Sequence, residues 1–592
     1  MCGIIGYNGK GNVKGILIDG LKALEYRGYD SAGIALSSIN DKEIIKSVGR
    51  VAKLEEKVKN ESKLTPKFGI AHTRWATNGA ATLNNAHPHT NGKVTLVHNG
   101  IIENSDVLKN DLIKKGVKFY GDTDSEVVAA LINYYLDDND IIGSINKALK
   151  MLKGSYALVI MIDGDNNLYA VRKDSPLIIG YSDNGYYAVS DISATLGNAK
   201  KIVYLDVNVI AKFNSDTITY YRDCKEIKEK VIDVSNISFE SSKDCYEHFM
   251  LKEIMEEPKL VSNFINKYLY SDNSFYDISN YKRIDIVACG SAMHAGLTSK
   301  YLIEKYDKIE VNVYMASEYR YEDKIYLDKD KTLIILISQS GETADTIAAL
   351  REAKENGIKT LGIVNREGST IAREADYVIM TEAGVETAVA TTKAYIMQVL
   401  VLSLIAIKTS IKLGFSDKNL LDEFKKLPHL IEAVLNNSDN IKSIASKIYN
   451  IDNCFFIGRL IDYAMCMEAS LKLKEVSYIH SECYAAGELK HGTISLIEKG
   501  TTVFAIITDK SVLDKTISNL KETLARGARG IVITCDDTDT DFDLEIKVPN
   551  APYFIEPMVL IPSLQLLSYY VAKERGCDID KPRNLAKSVT VE

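Results

Sequence analysis

The sequence predicts an α+β sandwich over the first third of the chain, followed by two α/β units built on parallel sheets. Three observations predict it. Short segments of alternating apolar residues, separated by Gly, Asn and Asp, fill residues 1–240. From about residue 280 strands and helices alternate instead, the texture of parallel sheets covered by helices. Finally, segment 332–365, "TLIILISQSGETADTIAALREAKENGIKTLGIVN", can be laid on 502–535 at a shift of 170 residues. Thr346 then meets Thr516, Leu350 meets Leu520 and Gly357 meets Gly527. The strand-like "IVACGS" (286–291) similarly matches "FFIGR" (455–459), so one α/β unit is present twice.

In the first third, "CGIIGYN", "SAGIALSS", "KFGIAHTRWAT", "KVTLVHNGII", "SYALVIMID", "NLYAVRK" and "YYAVS" read as strands. Helical patterning falls at 12–26, 103–115 and 124–136, the last preceded by the capping candidates Asp122 and Thr123. The expected division is a first domain at 2–218, a linker at 219–280, repeated domains at 281–420 and 450–582, and a tail at 583–592.

Composition narrows the class. With 592 residues, 46% apolar and 26% charged, the chain can bury several cores. A net charge of −8 without a basic block gives no reason to expect nucleic acid. Nine scattered cysteines form neither a C-x-x-C pair nor a His/Cys cluster, so reduced thiols, no metal and no cofactor are expected. The apolar run 394–407 falls short of the ~20 residues of a membrane span and reads as a buried helix. No signal peptide precedes Cys2, and a cytoplasmic protein without a membrane segment is the expectation.

Cys2 poses the chemical question. If Met1 is removed, this residue carries a thiol and a free α-amine, and an amine titrating near ~7.7–8 is a base poised to accept the proton of a thiol near ~8.5. Four polar clusters interrupt the strands: "YRGYDSAG" (26–33), "HTRWATNG" (72–79), "HNGIIEN" (98–104) and "GDTDSEV" (121–127). Each alone reads as a turn, a cap or a solvated charge. Together with Cys2 they resemble the glutaminase domain of the N-terminal-nucleophile glutamine amidotransferases. The resemblance implies that Cys2 attacks the side-chain carbon of L-glutamine while the Asn99 amide and the Gly100 N–H hold the oxyanion. It further implies that Arg74 clamps the substrate α-carboxylate, that Asp124 holds its α-ammonium, that Thr77 contributes to glutamine binding, and that Trp75 gates the exit of ammonia. Asn78 stands where that family often has His.

In the first α/β copy, "LIILI" runs into "SQSGET" (338–343). Ser338, Gln339, Ser340 and Thr343 offer donors beside the free N–H groups of a helix start, a ready anion site, whereas the second copy has "TDKSVL" there. This asymmetric pair resembles the sugar isomerase (SIS) domains. The second copy offers instead "YAMCMEASLKLKEVSYIHSECYAAGELKHG" (463–492), in which Glu468, Lys472 and Glu475 share one helix face among apolar neighbours. Such a charged row lines a pocket more readily than a solvated surface. His491 follows.

With the apolar tail "DKPRNLAKSVTVE", the order of parts resembles the isomerizing glutamine–fructose-6-phosphate aminotransferase family. The resemblance implies conversion of fructose 6-phosphate and L-glutamine into glucosamine 6-phosphate and L-glutamate, the entry to UDP-N-acetylglucosamine. It assigns Lys587 to Schiff-base formation, His491 to ring opening, Glu475 to proton transfer between C1 and C2 with Lys472 beside it and Glu468 in support, and Ser291 to the sugar phosphate. It also implies a homodimer in which His491 reaches the neighbour's site, and a tail at 583–592 that closes over the sugar. Ala292 stands where the family has a second hydroxyl, and Thr391 where it often has serine. Phosphoribosyl transfer and asparagine synthesis would need an acidic diphosphate loop or a Ser-Gly-Gly loop, and neither is present. The alternative from another class is a non-catalytic sugar-phosphate-binding sensor with a vestigial glutaminase domain.

Overall fold

Successive side chains of a strand point to opposite faces, and strand Gly3–Gly9 has both faces covered. Ile4 packs between two sheets, while Ile5 and Tyr7 pack beneath helices. The computed structural model describes residues 2–590 except 26–27, 39–40, 76–79, 138–139, 236–242, 272–275, 325–327, 539 and 541. Two units are distinguished, Met1–Ser241 with Ala586–Glu592, and Ser242–Leu585.

The first unit is a four-layer sandwich with two antiparallel sheets inside. In the eight-stranded sheet, Gly3–Gly9 lies between Gly185–Val189 and Phe68–Arg74, with Ser31–Ser37 beyond. The seven-stranded sheet is centred on Leu168–Lys173, Gly154–Ile162 and Val94–Ile102. Ile4, Ile70, Val97, Val159 and Ala188 fill the space between the sheets. Helices Val13–Leu24 and Val51–Glu61 cover one outer face. Helices Ser105–Lys114, Asp124–Tyr135 and Ile141–Leu149 cover the other. The Thr123 hydroxyl accepts from the Glu126 N–H, the expected cap.

The second unit contains two five-stranded sheets, parallel throughout. Numbered within each sheet, both have the strand order 2-1-3-4-5. One runs Glu310–Met315, Arg283–Ala288, Thr332–Ser338, Lys359–Val364, Tyr377–Met380. The other runs His480–Ala485, Asn453–Gly458, Thr502–Ile507, Arg529–Cys535, Glu545–Val548. In such sheets ligands bind outside the carboxyl ends of strands 1 and 3, where the order reverses. The two copies share one core, to which helices Gly290–Asp307, Lys393–Lys412, Ile461–Ser477 and Glu556–Glu574 all contribute. Helix Lys393–Lys412 is long and apolar enough to cross a membrane, but 89% of its apolar window is buried inside the protein.

The linker expected at 219–280 is folded. Strands Ile218–Arg222, Lys225–Ile227 and Ile232–Asp233 complete the sheets of the first unit. Helices Phe249–Met255 and Glu257–Tyr268 insert Met250, Ile254, Val261, Phe264 and Ile265 into the core of the second. Charged pairs between those apolar positions disguise the helical stripe in the sequence. The tail also differs from the expected boundary, since residues 586–592 group with the first unit.

Candidate active site

In the first unit the strand register brings the polar clusters to Cys2. Gly3 pairs with Thr73, which places half-buried Cys2 beside Arg74 and Trp75. The Trp75 N–H donates to the Cys2 sulfur at 3.2 Å. Burial pushes the thiol pKa up, opposed by that N–H and by the Arg74 charge. Asn99 comes from the other sheet, and its Nδ2 donates to the Cys2 carbonyl at 2.8 Å. An amide nitrogen carries two hydrogens, so one remains for a developing oxyanion. Gly100 follows at φ +130°, and a Cβ there would lie 2.1 Å from the Ser155 carbonyl oxygen, so only glycine fits.

Arg74 is 3% exposed; burial lowers its pKa against the pull of Cys2, Asp30 and Asp124. The Asp124 carboxylate accepts from the Ile102 N–H at 2.9 Å and the Ser125 hydroxyl at 3.3 Å. Thr77 and Asn78 lie outside the described residues.

The sequence reading missed a group of buried histidines behind this site. His72 Nε2 lies 3.0 Å from the His98 carbonyl and 3.1 Å from Asn99 Oδ1. The His87 ring packs on His72 with centroids 4.0 Å apart. Its Nε2 and His98 Nδ1 each lie 2.9 Å from the Ser125 hydroxyl. Burial holds His72 and His89 down to about 3, so both are neutral. His72 and His98 open two of the quoted clusters, but nothing local in the sequence shows that they meet.

In the second unit the row on helix Ile461–Ser477 forms as its spacing predicts. Lys472 is 1% exposed, pairs with Glu475 and lies 3.7 Å from Glu468 Oε1. Burial works to lower the Lys472 pKa, but Glu475 and Glu468 outweigh it and hold the ammonium charged. The Glu468 oxygens are also engaged from the first copy: the Ser291 hydroxyl donates to Oε1 at 2.9 Å, and His294 Nδ1 lies 2.8 Å from Oε2. Ser291 and His294 open helix Gly290–Asp307, directly after strand Arg283–Ala288. That strand ends beside Thr332–Ser338, so the "SQSGET" turn and the charged row meet at one switch point.

In that turn the Gly341 N–H donates to Ser338 Oγ at 3.0 Å, and Ser338 and Thr343 share a hydroxyl contact of 2.9 Å. The Glu342 N–H donates to Ser340 Oγ at 3.1 Å, and the Gln339 carbonyl accepts from Asn365. No side chain caps helix Ala344–Glu355, which leaves its first N–H groups open to an anion. Ala292 packs against the apolar core and offers no hydroxyl. His491 is exposed, and its ring makes no hydrogen bond among the described residues. Lys587 is half-buried in the tail that groups with the first unit.

Comparison with known proteins agrees with both halves. A glutamine amidotransferase domain model matches residues 72–197, and a SIS domain model matches 277–408 and 447–572. The chain is 45% identical over 612 residues to the glutamine–fructose-6-phosphate aminotransferase [isomerizing] of Clostridium tetani, with all of both chains covered. The chain belongs to this family. The Thermococcus kodakarensis member is 43% identical over 606 residues, again with both chains fully covered. Among solved structures, the C-terminal domain of glucosamine-fructose-6-phosphate aminotransferase from Francisella tularensis matches with TM-score 0.55 at 38% identity. It covers 57% of this chain and 100% of its own. The aminotransferase family thus accounts for the full length.

Proposed function

We propose that the chain converts L-glutamine and fructose 6-phosphate into L-glutamate and glucosamine 6-phosphate, the first step toward UDP-N-acetylglucosamine. The observation that carries this reading is the arrangement at Cys2. A sulfur held by the Trp75 N–H, with an Asn99 amide hydrogen to spare beside it, has no use in a sugar-phosphate sensor. Removal of Met1 frees an α-amine to take the thiol proton as Cys2 attacks the glutamine carboxamide. Asn99 and Gly100 stabilise the oxyanion, and Arg74, Asp124 and Thr77 hold the substrate's α-substituents. Ammonia leaves past Trp75, and water then releases glutamate from the thioester.

The "SQSGET" turn holds the sugar phosphate at the switch point. His491 opens the ring, and the Lys587 amine forms an imine at C2 with loss of water. Ammonia replaces the lysine, and Glu475 carries a proton from C1 to C2, leaving the 2-amino aldose. Lys472 holds Glu475 by their ion pair. Ser291 of the first copy supports the row through its hydrogen bond to Glu468. The protein acts as a cytoplasmic homodimer in this reading, and the exposed His491 ring supports its use in a neighbour's site.

Incubation with both substrates tests the proposal, with glutamate and glucosamine 6-phosphate expected in equal amounts. Glutamate without amino sugar defeats the synthase assignment, and absence of both products favours the sensor.

A further inference from the structure

The Asn99 side chain presents an oxygen and a nitrogen of nearly equal shape, and only the nitrogen can stabilise an oxyanion. The amide itself does not choose which end faces the sulfur. His72 does. Its Nε2 lies 3.0 Å from the His98 carbonyl oxygen, a group that only accepts, so Nε2 must carry the hydrogen. The same hydrogen reaches the Asn99 atom at 3.1 Å, which must therefore be Oδ1. Nδ2 is then left to face Cys2, where it donates to the carbonyl.

The surroundings hold this tautomer. His72 is 0% exposed, on strand Phe68–Arg74, and among the described residues nothing accepts a hydrogen from its Nδ1, so no contact there competes for the hydrogen on Nε2. The His87 ring packs on the imidazole at a tilt of 33° and is itself anchored on the Ser125 hydroxyl. Burial keeps His72 neutral. Resting on the glutaminase reading above, we propose that His72 is a positioning residue for glutamine hydrolysis, its Nε2–H locking the Asn99 amide with nitrogen toward the oxyanion. It acts on the reaction through Asn99.

The test compares His72→Leu, which fills space without a donor, with His72→Gln, whose Nε2 donates from a similar reach. Steady-state glutamate release by the full-length enzyme is measured with each. His72→Leu is expected to lower kcat by roughly 10²–10³-fold, the cost of an oxyanion donor, with KM for glutamine within about twofold because Arg74 and Asp124 are intact. His72→Gln should recover at least about tenfold of that loss. In an Asn99→Ala background, His72→Leu should cost less than about threefold more.

Equal losses in the Leu and Gln variants, an additive double variant, or a His72→Leu kcat within about threefold of the parent would each overturn the assignment. Where His72→Leu does not fold, His72→Gln decides alone. Folded and within about tenfold of the parent, it supports the role; folded and down about a hundredfold, it removes it. A parent enzyme that releases no glutamate sinks the glutaminase reading and this assignment with it. Failure confined to the variants sinks only the role of His72.

Discussion

At the carboxyl ends of the two parallel sheets the same backbone presents different surfaces. In the first copy strand Thr332–Ser338 runs into a hydroxyl-lined turn, and the helix that follows starts without a side-chain cap. Gly341 makes the turn possible: at φ +64°, a Cβ there would lie 2.0 Å from Ser369 Oγ. In the second copy helix Leu513–Leu524 likewise starts without a side-chain cap, but the strand end before it is occupied by a carboxylate of the same copy. The Asp462 carboxylate accepts from the Thr508 N–H at 3.0 Å, the Thr508 hydroxyl at 2.5 Å and the Asp509 N–H at 3.2 Å. The first copy has a hydroxyl-lined turn at its strand end, and the second has the buried Asp462 carboxylate at its own. The second copy also carries the charged row on helix Ile461–Ser477, steadied by Ser291 and His294 from the first. The two sheets share one topology and differ in the side chains at their carboxyl ends.

The division can be broken from either side. Glu475→Gln should have the largest effect, lowering glucosamine 6-phosphate formation by roughly 10²–10⁴-fold while glutamate release continues. A coupled assay of both products checks it, and parallel loss of both would place Glu475 outside the sugar chemistry.

The filled site should also announce itself by pH. Burial pushes Asp462 up to about 6 and Glu556 up to about 8. Unfolded, these carboxyls titrate near ~3.9 and ~4.3, so the folded state holds more protons above those values. The stability contributed by protonation is full below about pH 4 and is lost as pH rises through 6 for Asp462 and 8 for Glu556. For Asp462 this amounts to about 3 kcal/mol, and Asp462→Asn should flatten the unfolding midpoint of the second unit between pH 4 and 6. The first unit behaves oppositely. His72 and His89, held neutral at about 3, favour folding above ~6.5 and lose that contribution as pH falls. Separate pH titrations of the two unfolding transitions check both signs.

If Ser338 donates to the sugar phosphate as proposed, Ser338→Ala should raise KM for fructose 6-phosphate roughly 10- to 100-fold with little change in kcat. The equivalent change in the second copy, Thr508→Val, should leave KM within about twofold and cost about 1–3 kcal/mol of stability, because it strips a buried carboxylate of a partner. Equal KM effects would erase the distinction between the copies. Ala292→Ser is the gentlest probe, expected to lower KM about 2- to 10-fold by restoring a hydroxyl at the switch point.

What the sequence disclosed follows from the range of the interactions. Glu468, Lys472 and Glu475 were legible because helical spacing is local, and the duplicated units because apolar patterns repeat along the chain. The Thr123 cap was legible for the same reason. By contrast, His294 reaches Glu468 across 174 positions and His72 reaches Asn99 across 27, through pairings that only sheet register and helix packing decide. Asp462 reads in the sequence as an ordinary acidic residue near a helix start; its partners, Thr508 and Asp509, lie on another strand end. Helices Phe249–Met255 and Glu257–Tyr268 were missed because lysines and glutamates separate their apolar positions.

The place of strand Gly3–Gly9 bears on when the nucleophile becomes competent. Both of its neighbours lie later in the chain, at 68–74 and 185–189, so a nascent polypeptide cannot seat this strand until most of its domain has left the ribosome. Until then Asn99 and Trp75 have no fixed geometry around Cys2, and its sulfur is an ordinary thiol. The thiol is thereby kept from its partners until the strand at 185–189 has emerged.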